Sequence, residues 1–260
     1  MFTPPALLLA LLLVAPSESA PPPAALQVWQ NGQAALDADR LDEAVSQFQL
    51  ALRLDPSFVR ARLSLAAAHL SLGHDREAIP HLAAYLRARP EHFLVRMPFA
   101  EVLTRLERYS EARVQLERFV ADVQENPRLA DDHLLACHTR LMEIAERVGD
   151  EYGERLHRGI GLHLLAVKRL QIGGPKAKAL AEEFLCKSAG ELTLARMLEP
   201  TDARPWWYLH LVWNRLGQSH PAQRSLHAAE ACLGFDQLTP AERRDLHLRL
   251  GTQTLGTLRR

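Results

Sequence analysis

The residues best suited to chemistry stand close together: Asp131-Asp132-His133, followed by Cys137 and His138. On a helix His133 and Cys137 are one turn apart and share a face, a spacing that a metal site would use. They are also the one place where a hydrolytic centre could be sought. The set falls short of either role. The paired motifs of zinc sites are missing, and His138 points away from the shared face. The chain has 12 histidines, so chance neighbours are expected, and Cys137 reads as a small core residue. No serine stands in the Gly-flanked turn that an exposed nucleophile needs. Gly173-Gly174-Pro175-Lys176 is Gly-rich ahead of a helix, but it lacks the spacing and the preceding strand of a phosphate loop and reads as a linker. No catalytic residue, metal ligand or cofactor is assigned. A metal carrier or hydrolase using His133 and Cys137 stands as the alternative.

Composition points to what must position any site. Hydrophobic residues make up 47% of 260 residues, enough for a continuous core, and only 6% are aromatic. Leu and Ala dominate, which favours closely packed helices. Lys plus Arg and Asp plus Glu balance at 31 each, so there is no global case for nucleic acid or an anionic membrane as partner. Cys137, Cys186 and Cys232 are widely separated and odd in number, unlike a disulfide framework.

The N-terminus reads as a targeting segment. Ala6 to Ala15 is an apolar, Leu-dominated run, too short for a bilayer span and suited to a signal-peptide core. Ser17 and Ser19 have cleavage-site spacing, although no Lys or Arg precedes the run. The expectation is export, periplasmic or secreted, after removal of residues 1–19. If the signal does not function, the protein is cytoplasmic. A short Pro-rich spacer, 20–24, follows, and the mature chain has no integral membrane span.

A repeat then governs the chain. Glu43-Ala44, Glu77-Ala78 and Glu111-Ala112 recur at a period of 34 residues, as do Pro56 and Pro90. Two antiparallel helices that cross closely need small side chains where they touch. Gly32 with Ala44, Ala66 with Ala78, and Ala100 with Ala112 supply them. Phe48, Leu82 and Leu116 fill the space toward the next unit. Gly32, Ala44, Phe48, Ala51 and Pro56 stand at the spacing of a tetratricopeptide repeat, and the first unit closely resembles that family. Tyr85 and Phe119 depart from the small residue at Ala51, and Pro80 and Pro98 are expected to bend their helices.

The resemblance implies an all-α, right-handed α-solenoid of tetratricopeptide-type helix pairs with an irregular middle section. Residues 25–127 form three units. Residues 128–174 form a long, irregular helix pair broken at Gly149-Asp150, with Gly153, Gly159 and Gly161 weakening its second helix. Residues 175–234 hold further units. Ser188, Leu192, Ala195 and Pro200 fit a second helix whose first helix is unclear. Trp206, Leu209, Trp213, Gly217 and Ala222 begin another unit, with His210 in a small-residue position. A capping helix, 235–260, opens on the capping box Thr239-Pro240-Ala241-Glu242.

Function follows from the resemblance. In this family the first helix of each pair lines the concave groove. The matching positions are Trp29, Gln33, Arg60, Leu63, Ala67, Leu94, Met97 and Glu101, and near the C-terminus Arg204, Trp207, Leu211 and Asn214. An apolar series Trp29, Leu63, Met97 on an open surface suggests recognition of a protein or peptide. The Lys and Asn cluster with which some members clamp a terminal carboxylate is absent; Trp29, Gln33 and Ser64 are among the residues in its place. The expectation is a non-enzymatic scaffold, with a self-associating structural module as a further alternative. By the same alignment Trp206 faces its paired helix and Trp207 faces the groove.

Overall fold

The structure, a computed structural model, describes residues 20–126, 130–235 and 238–257. The expected signal segment, 1–19, lies outside the described residues. Every regular element among the described residues is helical. The chain divides into two compact units, residues 1–119 and 120–260.

The N-terminal unit is built from α1 (Pro23–Asp37), α2 (Leu41–Leu54), α3 (Val59–Ser71), α4 (Asp75–Ala88), α5 (Arg96–Arg105) and the first part of α6 (Tyr109–Gln124). Helix α1 begins inside the expected spacer: Pro23 occupies its first turn, where a missing N–H costs nothing. The three small-residue pairs close as the spacing requires, with Ala44, Ala66, Ala78, Ala100 and Ala112 fully buried. Gly32 is obligatory, because a Cβ there would sit 2.5 Å from the Phe48 ring. Phe48, Leu82 and Leu116 are buried between pairs, as are the larger Tyr85 and Phe119. Tyr85 finds a polar partner for its hydroxyl in His92 Nδ1 at 2.6 Å. Pro98 falls in the first turn of α5 and removes no helical hydrogen bond, whereas Pro80 lies inside α4.

The C-terminal unit contains the end of α6 and α7 (Ala130–Val148), α8 (Glu151–Ile172), α9 (Pro175–Leu198), α10 (Ala203–Arg215), α11 (Ser219–Ala231) and α12 (Pro240–Thr257). Asp150 caps α8 by accepting from the Gly153 amide at 2.9 Å. The unclear first helix partnering Ser188 and Leu192 is α8. Gly159 is its contact residue, since a Cβ there would meet Leu192 Cγ at 2.7 Å. Ser188 Oγ donates to the Gly159 carbonyl at 2.7 Å across the same crossing. The helix-weakening glycines are thus partly packing residues. Gly159 does for α8 and α9 what Gly32 does for α1 and α2.

The capping box at α12 forms in both directions. Glu242 Oε2 accepts from the Thr239 amide at 2.9 Å, and the Glu242 amide donates to Thr239 Oγ1 at 3.3 Å. Glu242 Oε1 also accepts from Tyr208 Oη at 2.5 Å and Gln124 Nε2 at 3.0 Å. This largely buried carboxylate therefore ties α6, α10 and α12 together. The expected capping helix is more than a terminal cover, since Leu246 is fully buried and Arg249 lies over the Trp207 ring, 5.6 Å from its centroid. Among the described residues no helix is long and apolar enough to cross a membrane.

Candidate interaction surface

Residues from successive first helices meet in the N-terminal unit. Trp29 Nε1 and Gln33 Nε2 on α1 each donate to Ser64 Oγ on α3 at 2.9 Å. The Arg60 guanidinium lies 4.3 Å from the Trp29 ring centroid, a cation–π distance. Phe58 closes on Trp29 from another side at 5.9 Å between ring centroids. Trp29, Gln33, Arg60 and Ser64 therefore meet, and they satisfy one another. Trp29 is only 9% exposed, and Leu63 and Ala67 are fully buried. The expectation that Trp29 and Leu63 present open apolar surface is overturned: Arg60 and Ser64 of α3 pack on Trp29, and Leu63 is itself buried within the unit. Gln33, Arg60, Leu94, Met97 and Glu101 keep partial exposure.

The C-terminal counterpart is also corrected. Trp207 is 2% exposed and Trp206 is half-buried, the reverse of the expected register. Trp207 stacks on His210 at 5.6 Å and is covered by Arg249 of α12. Arg204 is committed to Asp202, the N-cap of α10, at 2.6 Å. Leu211 is partly buried and Asn214 is exposed. His210, in a small-residue position, fits because its Nδ1 reaches the Ala222 carbonyl at 2.9 Å. Nδ1 must donate to that acceptor, which leaves Nε2 to accept from Asn214 Nδ2 at 3.0 Å. The ring is then neutral, and burial lowers its pKa.

Three crossings now follow one scheme: Gly32 with Ala44 and Phe48, Gly159 with Ser188 and Leu192, and His210 with Ala222 and Leu226. Together with the 34-residue register of α1 to α6, this scheme makes a repeat of close-crossing helix pairs. Its helix pairs resemble those of tetratricopeptide repeats.

No family model matches the sequence. Two curated relatives align with a short stretch of this repeat protein. The peroxisomal targeting signal receptor of Candida glabrata is 40% identical over 60 residues, 23% of this chain and 10% of that one. The receptor of Eremothecium gossypii is 38% identical over 60 residues, with the same coverage of 23% and 10%. The match thus spans about a tenth of the length of either receptor. Among solved structures, MamA 41-end from Desulfovibrio magneticus RS-1 is 16% identical, covering 82% of this chain and 97% of that one at a TM-score of 0.37. YrrB, described as a TPR protein with an unusual peptide-binding site, is 16% identical over 81% and 87% at 0.36. PilW, a type IV pilus biogenesis factor, is 14% identical over 86% and 99% at 0.40. At such scores the likeness adds nothing to what this chain's own helix pairs establish.

Of the residues weighed for chemistry, the side chains of Asp131 and Asp132 lie outside the described residues. Cys137 is fully buried, and His133 is partly buried on the same helix. His138 is buried with its Nδ1 3.1 Å from His157 Nδ1, so one ring donates to the other. Among the described residues no group of three or more His, Cys, Asp or Glu side chains is arranged to hold a metal ion. Sequence reasoning missed this histidine pair and the Tyr208–Glu242–Gln124 network. Only the capping-box glutamate signalled the latter, and the partners 34 and 118 residues away carry no local mark.

Proposed function

We propose that this repeat protein is a non-enzymatic scaffold that binds a protein or peptide across the first-helix side of its N-terminal unit. One observation carries the reading. Residues of α1 and α3 lock into a preorganised floor, Trp29–Ser64–Gln33 under Arg60, while Leu94, in the turn before the next first helix α5, and Met97 and Glu101 on α5 keep partial exposure. A rigid floor with mixed apolar and charged groups lowers the ordering cost of binding an extended segment. The strongly perturbed histidines and tyrosines sit at packing contacts, such as His138 on His157 and Tyr208 on Glu242, which favours a structural role for them over catalysis.

The test is in-cell cross-linking with the full chain. The Arg60→Glu, Met97→Glu double variant is expected to lose the partner cross-linked to the wild-type chain while far-UV circular dichroism stays unchanged. Unchanged cross-linking would move the site to another face. Export remains part of the proposal, supported by the apolar run from Ala6 to Ala15 and the small residues at Ser17 and Ser19. N-terminal sequencing of the native protein should find a chain beginning near Ala20. A cytosolic chain that retains Met1 rules export out.

A further inference from the structure

A recess of about 330 Å³ opens in the C-terminal unit between α9, α10 and α11, and none of the residues of the proposed N-terminal surface lines it. Trp206 and Trp213, on one face of α10, form its aromatic wall, with Leu209 between them. Arg196 of α9 and Arg224 of α11 stand on its lining, which carries no carboxylate. Neither arginine makes a salt bridge among the described residues. Arg196 is held over the Trp206 ring, 4.6 Å from its centroid, so its fork is oriented before any ligand arrives. Beside the recess, α9 turns Leu194, Met197 and Leu198 to solvent, with Met197 67% exposed. These three share a helix face adjacent to Thr193 and Arg196, which extends the apolar surface beyond the recess.

We propose that this recess docks an acidic peptide segment carrying an aromatic anchor. The size admits one large side chain, the tryptophan wall offers it stacking surface, and the two guanidinium groups, neither paired with a carboxylate, favour flanking carboxylates. The apolar ledge on α9 then receives the neighbouring residues of the segment. The occupant is a polypeptide because the ledge continues the contact past the recess. An isolated small acid would fill the recess and leave Leu194 and Met197 uncovered. This site is independent of the N-terminal surface proposed above.

The experiment is selection of a random dodecapeptide display library on the full chain, followed by fluorescence anisotropy on the enriched sequences as labelled peptides. Two variants accompany it: Ala228→Trp, which fills the half-buried floor of the recess, and Arg196→Glu with Arg224→Glu. Circular dichroism checks both, and the arginine pair decides alone if Ala228→Trp unfolds. Enriched peptides should combine Phe, Tyr or Trp with adjacent Asp or Glu, and quench tryptophan fluorescence. Their affinity should fall at least tenfold in the arginine variant and vanish in Ala228→Trp. Enrichment of basic or purely apolar peptides overturns the proposal, as does binding indifferent to both variants or no enrichment at all. Self-association of the free chain that Ala228→Trp abolishes would instead make a second copy the occupant and also overturn it.

Discussion

Trp207→Ala is expected to cost the C-terminal unit about 3–5 kcal/mol, the range for truncating a buried aromatic side chain. Trp207 is 2% exposed and among the largest fully buried side chains. It lies between the His210 ring and the Arg249 guanidinium, 5.6 Å from each. Removing it leaves a cavity that α10 cannot close, because Tyr208 and Glu242 hold α10 to α12. Trp206→Ala should cost about 1 kcal/mol, since half of that ring already faces solvent in the recess. Urea denaturation of the two variants separates them. In a repeat protein the damage stays near its own unit, so the Trp207 variant should show an early C-terminal transition. Equal midpoints would mean that the two rings are equally buried in solution.

Acid should unfold the protein well before its carboxylates are protonated. His138 and His163 are held down to about 3 and His81 to about 4, in each case chiefly because burial disfavours the charged ring. His69 and His210 are lowered for the same main reason. In the unfolded chain these rings titrate near 6.5. Below that pH the unfolded state takes up protons that the native state refuses, so stability falls as pH falls. The loss continues until the native values near 3 to 4 are reached. Each deeply buried ring contributes a slope of about 1.4 kcal/mol per pH unit. From pH 6.5 to 4.5, His138 and His163 alone should remove about 5 kcal/mol, comparable to the whole stability of a small domain. Both rings lie in the C-terminal unit, so its urea midpoint should drop steeply across that window. His163→Phe should flatten the drop, because a ring packed edge-on against Tyr208 at 5.9 Å needs no charge. A midpoint that stays level to pH 4.5 would show that these rings titrate normally in the fold.

Much of the architecture was legible because it is local. The 34-residue recurrence, the small residues at the helix crossings, the Gly149-Asp150 break and the Thr239–Glu242 capping box each depend on near neighbours in the chain, and each appears in the structure. Helix lengths in the middle section were also close, because the cap at Asp150 and the break at Gly173-Gly174 mark them directly. What stayed hidden was pairing over distance. Nothing near Ser188 announces that Gly159, on a helix longer than the repeat's usual one, is its partner.

The surface was the least legible part. Spacing along their own helices gives Trp29, Leu63 and Trp207 corresponding positions in the repeat, and that much is a property of the chain by itself. Whether that face is open depends on what packs over it. Helix α3, with Phe58 at its N-cap, covers Trp29 through that ring, Arg60 and Ser64, and α12 returns to lay Arg249 on Trp207. Burial is decided by neighbours distant in sequence, and periodicity carries no information about them. The sequence alone therefore determined the helices, their pairing rule and the 34-residue repeat. The tertiary structure decided which tryptophan is core and which lines a recess, because a half-buried ring and a buried one differ only in the helix that lies across them.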